Sequence, residues 1–173
     1  MRKPSLNRRQ LLAATAATGV ALAAATQSSL AAEDPSDLAG KSVLITGCSS
    51  GFGMLGAVHY AELGAKVFAT MRGLPRMEAE ELAALADAGD LDITILELDV
   101  LSDDSVNKAV AEAERLSGGA LDVVINNAGI GTGAPVELQD MEAMQLLFDT
   151  NVMGPQRVAR AAQIGRASGR ERV

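Results

Sequence analysis

Three closely spaced glycines, Gly47, Gly51 and Gly53, are separated by Cys48, Ser49, Ser50 and Phe52, directly after the apolar run Lys41 to Thr46. Residues of these types at this spacing suit the holding of an anion. Gly47 can take the backbone angles that end a strand sharply, and Gly51 and Gly53 lack side chains that would keep a pyrophosphate from the main chain. The anion would rest on free N–H groups in the first turn of a helix starting near Gly51, where the helix dipole also favours negative charge. No Gly-Lys-Ser or Gly-Lys-Thr follows, so the loop of nucleoside-triphosphate hydrolases is a poor match. The spacing Gly-x-x-x-Gly-x-Gly also departs from the commoner Gly-x-Gly-x-x-Gly. Taken alone, such a turn could equally be structural.

Other chemically able residues stand where apolar runs stop: Met71-Arg72, Asp99-Val100 and Asn126-Asn127-Ala128-Gly129. Asp99 could accept from an amine or serve as a turn or cap residue, and Asn127 and Gly129 could form an ordinary turn. Cys48 is the single cysteine, so no internal disulfide is open to it; it reads as a small residue in a tight loop or as a reactive thiol. His59 and Tyr60 fall in a helical pattern, where packing or solvation is the commoner role.

The elements that must position these residues alternate. Strands are expected at Lys41 to Thr46, Lys66 to Met71, Ile93 to Leu98 and Leu121 to Ile125, each short and apolar. Helices are expected from about Gly51 to Leu63, from Pro75 to Ala88 and from a Ser102 cap, with Asp103 and Asp104 in the first turn, to about Leu116. Gly64 and Ser117-Gly118-Gly119 end the first and third, and a last helical pattern begins near Leu138. The alternation predicts the α/β class: a doubly wound parallel sheet with right-handed crossovers, helices on both faces and ligands bound beyond the carboxyl ends of the strands. The glycine turn, Arg72, Asp99 and residues 126–129 all fall at such ends.

Composition narrows the ligand. With three Phe, one Tyr and no Trp, stacking on bases has little support. Residues 33–162 hold 8 Lys plus Arg against 21 Asp plus Glu, a net of −13, which repels nucleic-acid backbones. A phosphorylated cofactor must then be held by local N–H groups and single cations. Neither a nucleic-acid partner nor a metal-ligand cluster is expected.

Both ends differ from the middle. Residues 1–32 carry Arg2 and Lys3, then Asn7-Arg8-Arg9-Gln10-Leu11-Leu12, an alanine-rich apolar run to about Thr26, and Ser29-Leu30-Ala31-Ala32. This is a signal peptide's layout, and the paired arginines resemble the twin-arginine export signal. The apolar run is shorter than the roughly 20 residues a spanning helix needs. Expected are cleavage after Ala31 or Ala32, a bacterial periplasmic location with no membrane attachment after cleavage, and an N-terminal tether if uncut. Residues 33–40 read as a polar linker.

The landmarks Thr46-Gly47-Cys48-Ser49-Ser50-Gly51-Phe52-Gly53, Asp99-Val100, Asn126-Asn127-Ala128-Gly129 and Asn151 occur in an order and at intervals that resemble the short-chain dehydrogenase/reductase family, over residues 41 to about 162. With Val67 to Arg72, the turn looks nearest the branch of hydroxysteroid and retinol dehydrogenases. The resemblance implies a Rossmann-like three-layer fold, of which about four strands of a larger sheet are present, and an NAD(P)-dependent oxidoreductase interconverting an alcohol and a carbonyl. It implies cofactor contacts from Gly47, Ser49, Ser50, Gly51, Phe52, Gly53, Arg72, Asp99, Val100, Asn126, Ala128 and Gly129. Asp99 would accept from the adenine amino group, and Asn151 would help hold a proton-relay water. Met71 stands where an acid would bind a ribose 2′-hydroxyl, and Arg72 next to it could pair with a 2′-phosphate, so NADP is favoured, with NAD still open. A homo-oligomer acting on a small-molecule alcohol or carbonyl is expected of the parent protein.

One departure limits these expectations. The family's chemistry needs a tyrosine, a lysine a few residues on and a substrate-orienting serine; the only tyrosine here is Tyr60 and the last lysine is Lys108. Without a proton donor at the carbonyl, hydride transfer would be severely slowed. The tail, residues 163–173, changes abruptly to Gly, Arg and Ser and resembles a translated sequencing adapter, so truncation near Ala162 is expected. An inactive chain, poorly soluble through an exposed apolar edge at the fourth strand, is the corresponding expectation. The alternative is a non-catalytic dinucleotide-binding module. Sequencing of the gene beyond codon 162 separates the two: Tyr-x-x-x-Lys with an upstream Ser favours the enzyme, and a genuine stop codon favours the module.

Overall fold

The computed structural model describes residues 37–133 and 135–170, with Val136 and residues 163–170 as backbone alone. The expected leader at 1–32, the linker as far as residue 36, and residues 171–173 lie outside the described residues.

Strand β1 (Ser42–Ile45) is apolar throughout because both of its faces are covered. Val43 and Ile45 pack on one side with Ala57, Ala61 and Leu82, while Leu44 packs on the other with Val106, Val110 and Val158. Strand β2 (Lys66–Met71) repeats the two-residue period, sending Val67, Ala69 and Met71 to the first layer and Phe68 to the second. Helices α1 (Gly51–Glu62) and α2 (Met77–Gly89) supply the first layer. Helices α3 (Asp103–Ser117) and α5 (Gly154–Arg170) supply the second. Helix α1 buries only Gly53, Ala57 and Ala61, a stripe of small residues that lets it lie close to the sheet.

With β3 (Ile93–Glu97) and β4 (Val123–Ile125) the sheet has four parallel strands in the order β3-β2-β1-β4, the expected α/β, doubly wound arrangement. The chain builds outward from β1 to β3 and then returns to the other side of β1. The order therefore reverses between β1 and β4, and the crevice beyond their carboxyl ends is where such sheets bind ligands.

Several boundaries differ from expectation, each for a local reason. The second helix starts at Met77, with Arg76 extended at its N-cap, and not at Pro75; the turn before it is closed by Arg76 Nη1 donating to Arg72 O at 3.0 Å. Strand β4 starts at Val123, not Leu121. Leu121 is buried in the core, and Asp122 Oδ2 accepts from both Ser42 N and Ser42 Oγ at 2.9 Å, so the ladder begins at Val123, two residues later than expected. The final helical pattern is split: a short 3₁₀ turn (Val136–Leu138) precedes α4 (Met141–Phe148), capped by Asp140 Oδ1 accepting from Ala143 N. A π-helical turn, Asp149–Met153, then joins α4 to α5. The caps at Ser102 and Gly118 (φ 80°) are as expected.

Candidate cofactor site

A cleft of about 350 Å³ opens beyond the carboxyl ends of the strands. Four chain segments meet there, each fixed by a bond that the local sequence dictates.

The glycine turn forms the first wall, contributing Gly47, Ser49, Ser50 and Phe52. Gly47 has φ +74°, and a side chain there would place its Cβ 2.8 Å from Ala128 Cα. Gly51 also has a positive φ, +57°, and faces open space. Gly53 has a different task from the one expected. It is buried, and a Cβ there would overlap Gly47 O and fall 2.5 Å from Asn127 Nδ2, so its bareness serves helix–turn packing and not access to an anion. Ser50, at the N-cap of α1, makes no side-chain cap bond. The first-turn N–H groups of α1, which have no partner within a helix, are thus not taken by that side chain.

The second wall is the end of β4. Thr46, buried at the end of β1, accepts at Oγ1 from Asn127 N at 3.1 Å and Ala128 N at 3.0 Å. Asn127 Nδ2 answers by donating to Thr46 O at 2.9 Å and Gly47 O at 3.0 Å. Asn127, Ala128, Gly129 and Ile130 line the cleft, whereas Asn126 is exposed and off its wall.

The third wall is the loop after β3. Asp99 lines the cleft with its main-chain N–H held by Ser105 Oγ at 2.9 Å. Asp99 Oδ1 accepts from Leu101 N at 3.0 Å, and among the described residues no donor bonds Oδ2, which leaves it able to accept from an amine. Val100 and Leu101 complete this wall. Behind it, Arg157 of α5 donates to Val100 O at 3.1 Å and to Asp149 Oδ1 at 2.8 Å, tying the loop to the π-helical turn.

The fourth wall carries the charge. Met71, Arg72 and Arg76 line it, and these two arginines are the only cationic side chains on the cleft among the described residues. Arg76 is gripped by Glu78, whose carboxyl is held down at about 2 by the guanidinium's hydrogen bonds, so the pair stays ionised at neutral pH.

Asn151 and Cys48 stand apart from the cleft surface. Asn151, in the π-helical turn, spends both ends of its amide on one residue: Oδ1 accepts from Ile130 N at 2.9 Å and Nδ2 donates to Ile130 O at 2.8 Å. Its side chain orients the loop beside the cleft. Of the two readings of Cys48, the structure supports the packed one. The thiol is buried, contacts Ile45 O at 3.3 Å, and burial pushes it up to about 12, far from a thiolate at neutral pH.

Sequence reasoning named Asn127 only within the 126–129 landmark that shapes the loop beside the cofactor, and missed Thr46 and Arg76 as shapers of the site. A threonine closing an otherwise apolar strand is a signal for the former of these two. Arg76 followed two residues later by Glu78 is one for the latter.

The residues present fit a dinucleotide: a bare turn at a helix N-terminus for phosphates, a carboxylate oxygen for an amine, and two arginines for a further anion. Residues 41–169 match the short chain dehydrogenase family. The chain is 41% identical over 128 residues to human retinol dehydrogenase 8, covering 72% of this chain and 40% of that protein. Among solved structures it is similar to a short-chain type dehydrogenase/reductase from Mycobacterium marinum, at TM-score 0.71 and 32% identity, over 76% of this chain and 52% of the other. It is also similar to NADPH-bound carbonyl reductase from chicken fatty liver, at TM-score 0.64 and 30% identity, over 75% and 49%. The chain thus spans about half or less of the length of these relatives. It belongs to the short-chain dehydrogenase family.

Proposed function

We propose that this chain is the cofactor-holding part of an NADP-preferring oxidoreductase that interconverts a small-molecule alcohol and its carbonyl. The nicotinamide cofactor supplies the hydride chemistry when bound. The first turn of α1 holds the pyrophosphate, Asp99 Oδ2 accepts from the adenine amino group, and Arg72 pairs with a 2′-phosphate. Thr46 and Asn127 keep the turn in place, and Asn151 keeps the Ile130 loop in place.

The observation that carries this reading is Arg72, on the cleft wall just past the end of β2, where an acid would suit a free ribose hydroxyl. Arg72→Asp tests it: the variant is expected to lose preference for NADPH and to gain affinity for NADH. An unchanged ratio of the two affinities would sink the assignment.

The 173 residues contain no Tyr-x-x-x-Lys, and Tyr60 packs beside His59 on α1, with ring centroids 5.8 Å apart and off the cleft wall. By themselves they are proposed to bind cofactor without turning it over, as a binding module would. Oxidation of NADPH by the chain with any carbonyl substrate contradicts this. Export is proposed from Arg8 and Arg9; a reporter fused to residues 1–40 should lose export when both are changed to Lys. Among the described residues no helix is long and apolar enough to cross a membrane.

A further inference from the structure

The π-helical turn Asp149–Met153 meets two walls of the cleft at once, and one side chain of α5 fastens it to the second of them. On the β4 side, Asn151 holds both main-chain polar groups of Ile130, at 2.9 and 2.8 Å, and a Cβ on Gly129 would stand 3.2 Å from Asn151 Oδ1. On the side of the loop after β3, a Cβ on Gly154, the residue that closes the turn, would stand 3.0 Å from Val100 Cβ. Arg157 bridges this second contact. Its Nη1 donates to Val100 O at 3.1 Å and its Nη2 to Asp149 Oδ1 at 2.8 Å. Thr150, buried within the turn, lines the cleft and donates its hydroxyl to Leu146 O of α4 at 2.8 Å.

These contacts make an unbroken path from Leu101 through Val100, Arg157, Asp149 and Asn151 to Ile130. Both ends of the path are loop backbone outside the strands and helices, where little free energy is needed to open the structure locally. A ligand that fixes one loop stiffens the turn from which the other is held, so the second loop has less freedom left to lose. Arg157 suits the junction because it is 19% exposed and its planar fork reaches two acceptors at once, a geometry that an ammonium on a flexible stem does not reproduce. Its third contact, Nε to Asp103 Oδ1 at 3.4 Å, is the weak one, since Asp103 is 73% exposed.

We propose that Arg157 is a positioning residue that makes two walls of the cleft order together: an adenosine phosphate seated against Asp99–Leu101 tightens the Asn151–Ile130 loop through Arg157 and Asp149. The inference rests on reading the cleft as a dinucleotide site. It goes further in letting one part of the ligand shape a wall that it does not touch.

The test is amide hydrogen exchange of the 173-residue chain with and without saturating adenosine 5′-monophosphate, read at Leu101 N and Ile130 N. Both amides are expected to slow by about tenfold when the nucleotide binds. Asp149→Ala, which cuts the arm to the turn and leaves the bond from Arg157 to Val100 O, is expected to keep the slowing at Leu101 and lose it at Ile130. Arg157→Lys should lose most of the slowing at Ile130 while binding the nucleotide within about threefold of the unaltered chain. Asp103→Ala is expected to change neither response. If Asp149→Ala keeps the full slowing at Ile130, or loses it equally at both amides, the coupling is overturned. If the unaltered chain slows at Leu101 alone, the coupling is overturned and the reading of the cleft survives. If the nucleotide slows neither amide and calorimetry shows no binding, both are overturned.

Discussion

Asn127 and Thr46 hold each other through both main chain and side chain: Asn127 Nδ2 donates to Thr46 O at 2.9 Å, and Thr46 Oγ1 accepts from Asn127 N at 3.1 Å. The exchange couples the ends of β1 and β4, the two strands between which the sheet order reverses. It also satisfies Gly47 O, a carbonyl that the turn leaves without a strand partner. The shape of the first two cleft walls thus depends on one carboxamide.

Asn127→Ala should therefore cost stability. Two carbonyls lose their donor, and leaving such groups unmet costs about 1–3 kcal/mol in total at a partly exposed site. Urea unfolding is the measurement; a change under about 0.5 kcal/mol would show that water replaces the amide at no loss.

The three glycines around α1 should respond differently to alanine. Gly53→Ala forces a methyl against Gly47 O, with a loss of about 1–3 kcal/mol. Gly51→Ala meets no atom and suffers only its positive φ, about 1 kcal/mol. At Gly56 a Cβ would find Tyr60 Cε2 at an ordinary 3.7 Å, so Gly56→Ala should stabilise by up to about 1 kcal/mol through helix propensity. Thermal unfolding of the three variants gives the ranking, and a Gly53→Ala protein as stable as Gly56→Ala would contradict the close packing of α1 on its turn.

Cys48 predicts an alkaline signature. Its thiol is raised in the folded protein from 9.0 to about 12, so the folded state favours the neutral form more than the unfolded chain does. The associated stability is present below pH 9 and is lost as pH rises from 9 towards 12. Between those values the unaltered protein should lose stability faster than Cys48→Ala, and native Cys48 should react with a thiol reagent only on unfolding. Parallel stability curves for the two proteins would refute the assignment.

Arg157 should matter at a distance from any ligand. It joins Val100 O to Asp149 and is 19% exposed, so Arg157→Ala is expected to lose about 1–3 kcal/mol and to loosen the Asp99–Leu101 wall. Hydrogen exchange at Leu101 N, which Asp99 Oδ1 accepts, is the local readout. Unchanged protection there would mean that the loop does not depend on α5.

Much of this was legible in the sequence, because strands buried on both faces write uninterrupted apolar runs, and the two-residue period of β1 and β2 follows directly. The four-strand α/β sheet, the glycine turn and the places of Arg72 and Asp99 could be read that way. The purpose of Gly53 could not. It depends on a contact with Gly47 O and Asn127 that only the folded helix creates, and a missing side chain looks the same whether it makes room for a ligand or for a backbone. The start of β4 was misread for a similar reason: Leu121 is apolar because it fills the core below α3 and α5, while Asp122 pairs with Ser42 some eighty residues away. Asn151 was legible as a landmark, but its grip on Ile130 came from a π-helical turn that no local propensity announces.

The central claim, that this cleft is a site for a 2′-phosphorylated dinucleotide, is tested most directly by titrating the 173-residue chain with NADPH and with NADH at low protein concentration and following nucleotide fluorescence. Saturable binding of NADPH, about tenfold tighter than NADH and weakening with added salt, is the result predicted from two arginines on an acidic protein. No change in fluorescence with either nucleotide, or equal affinity for both, would contradict it.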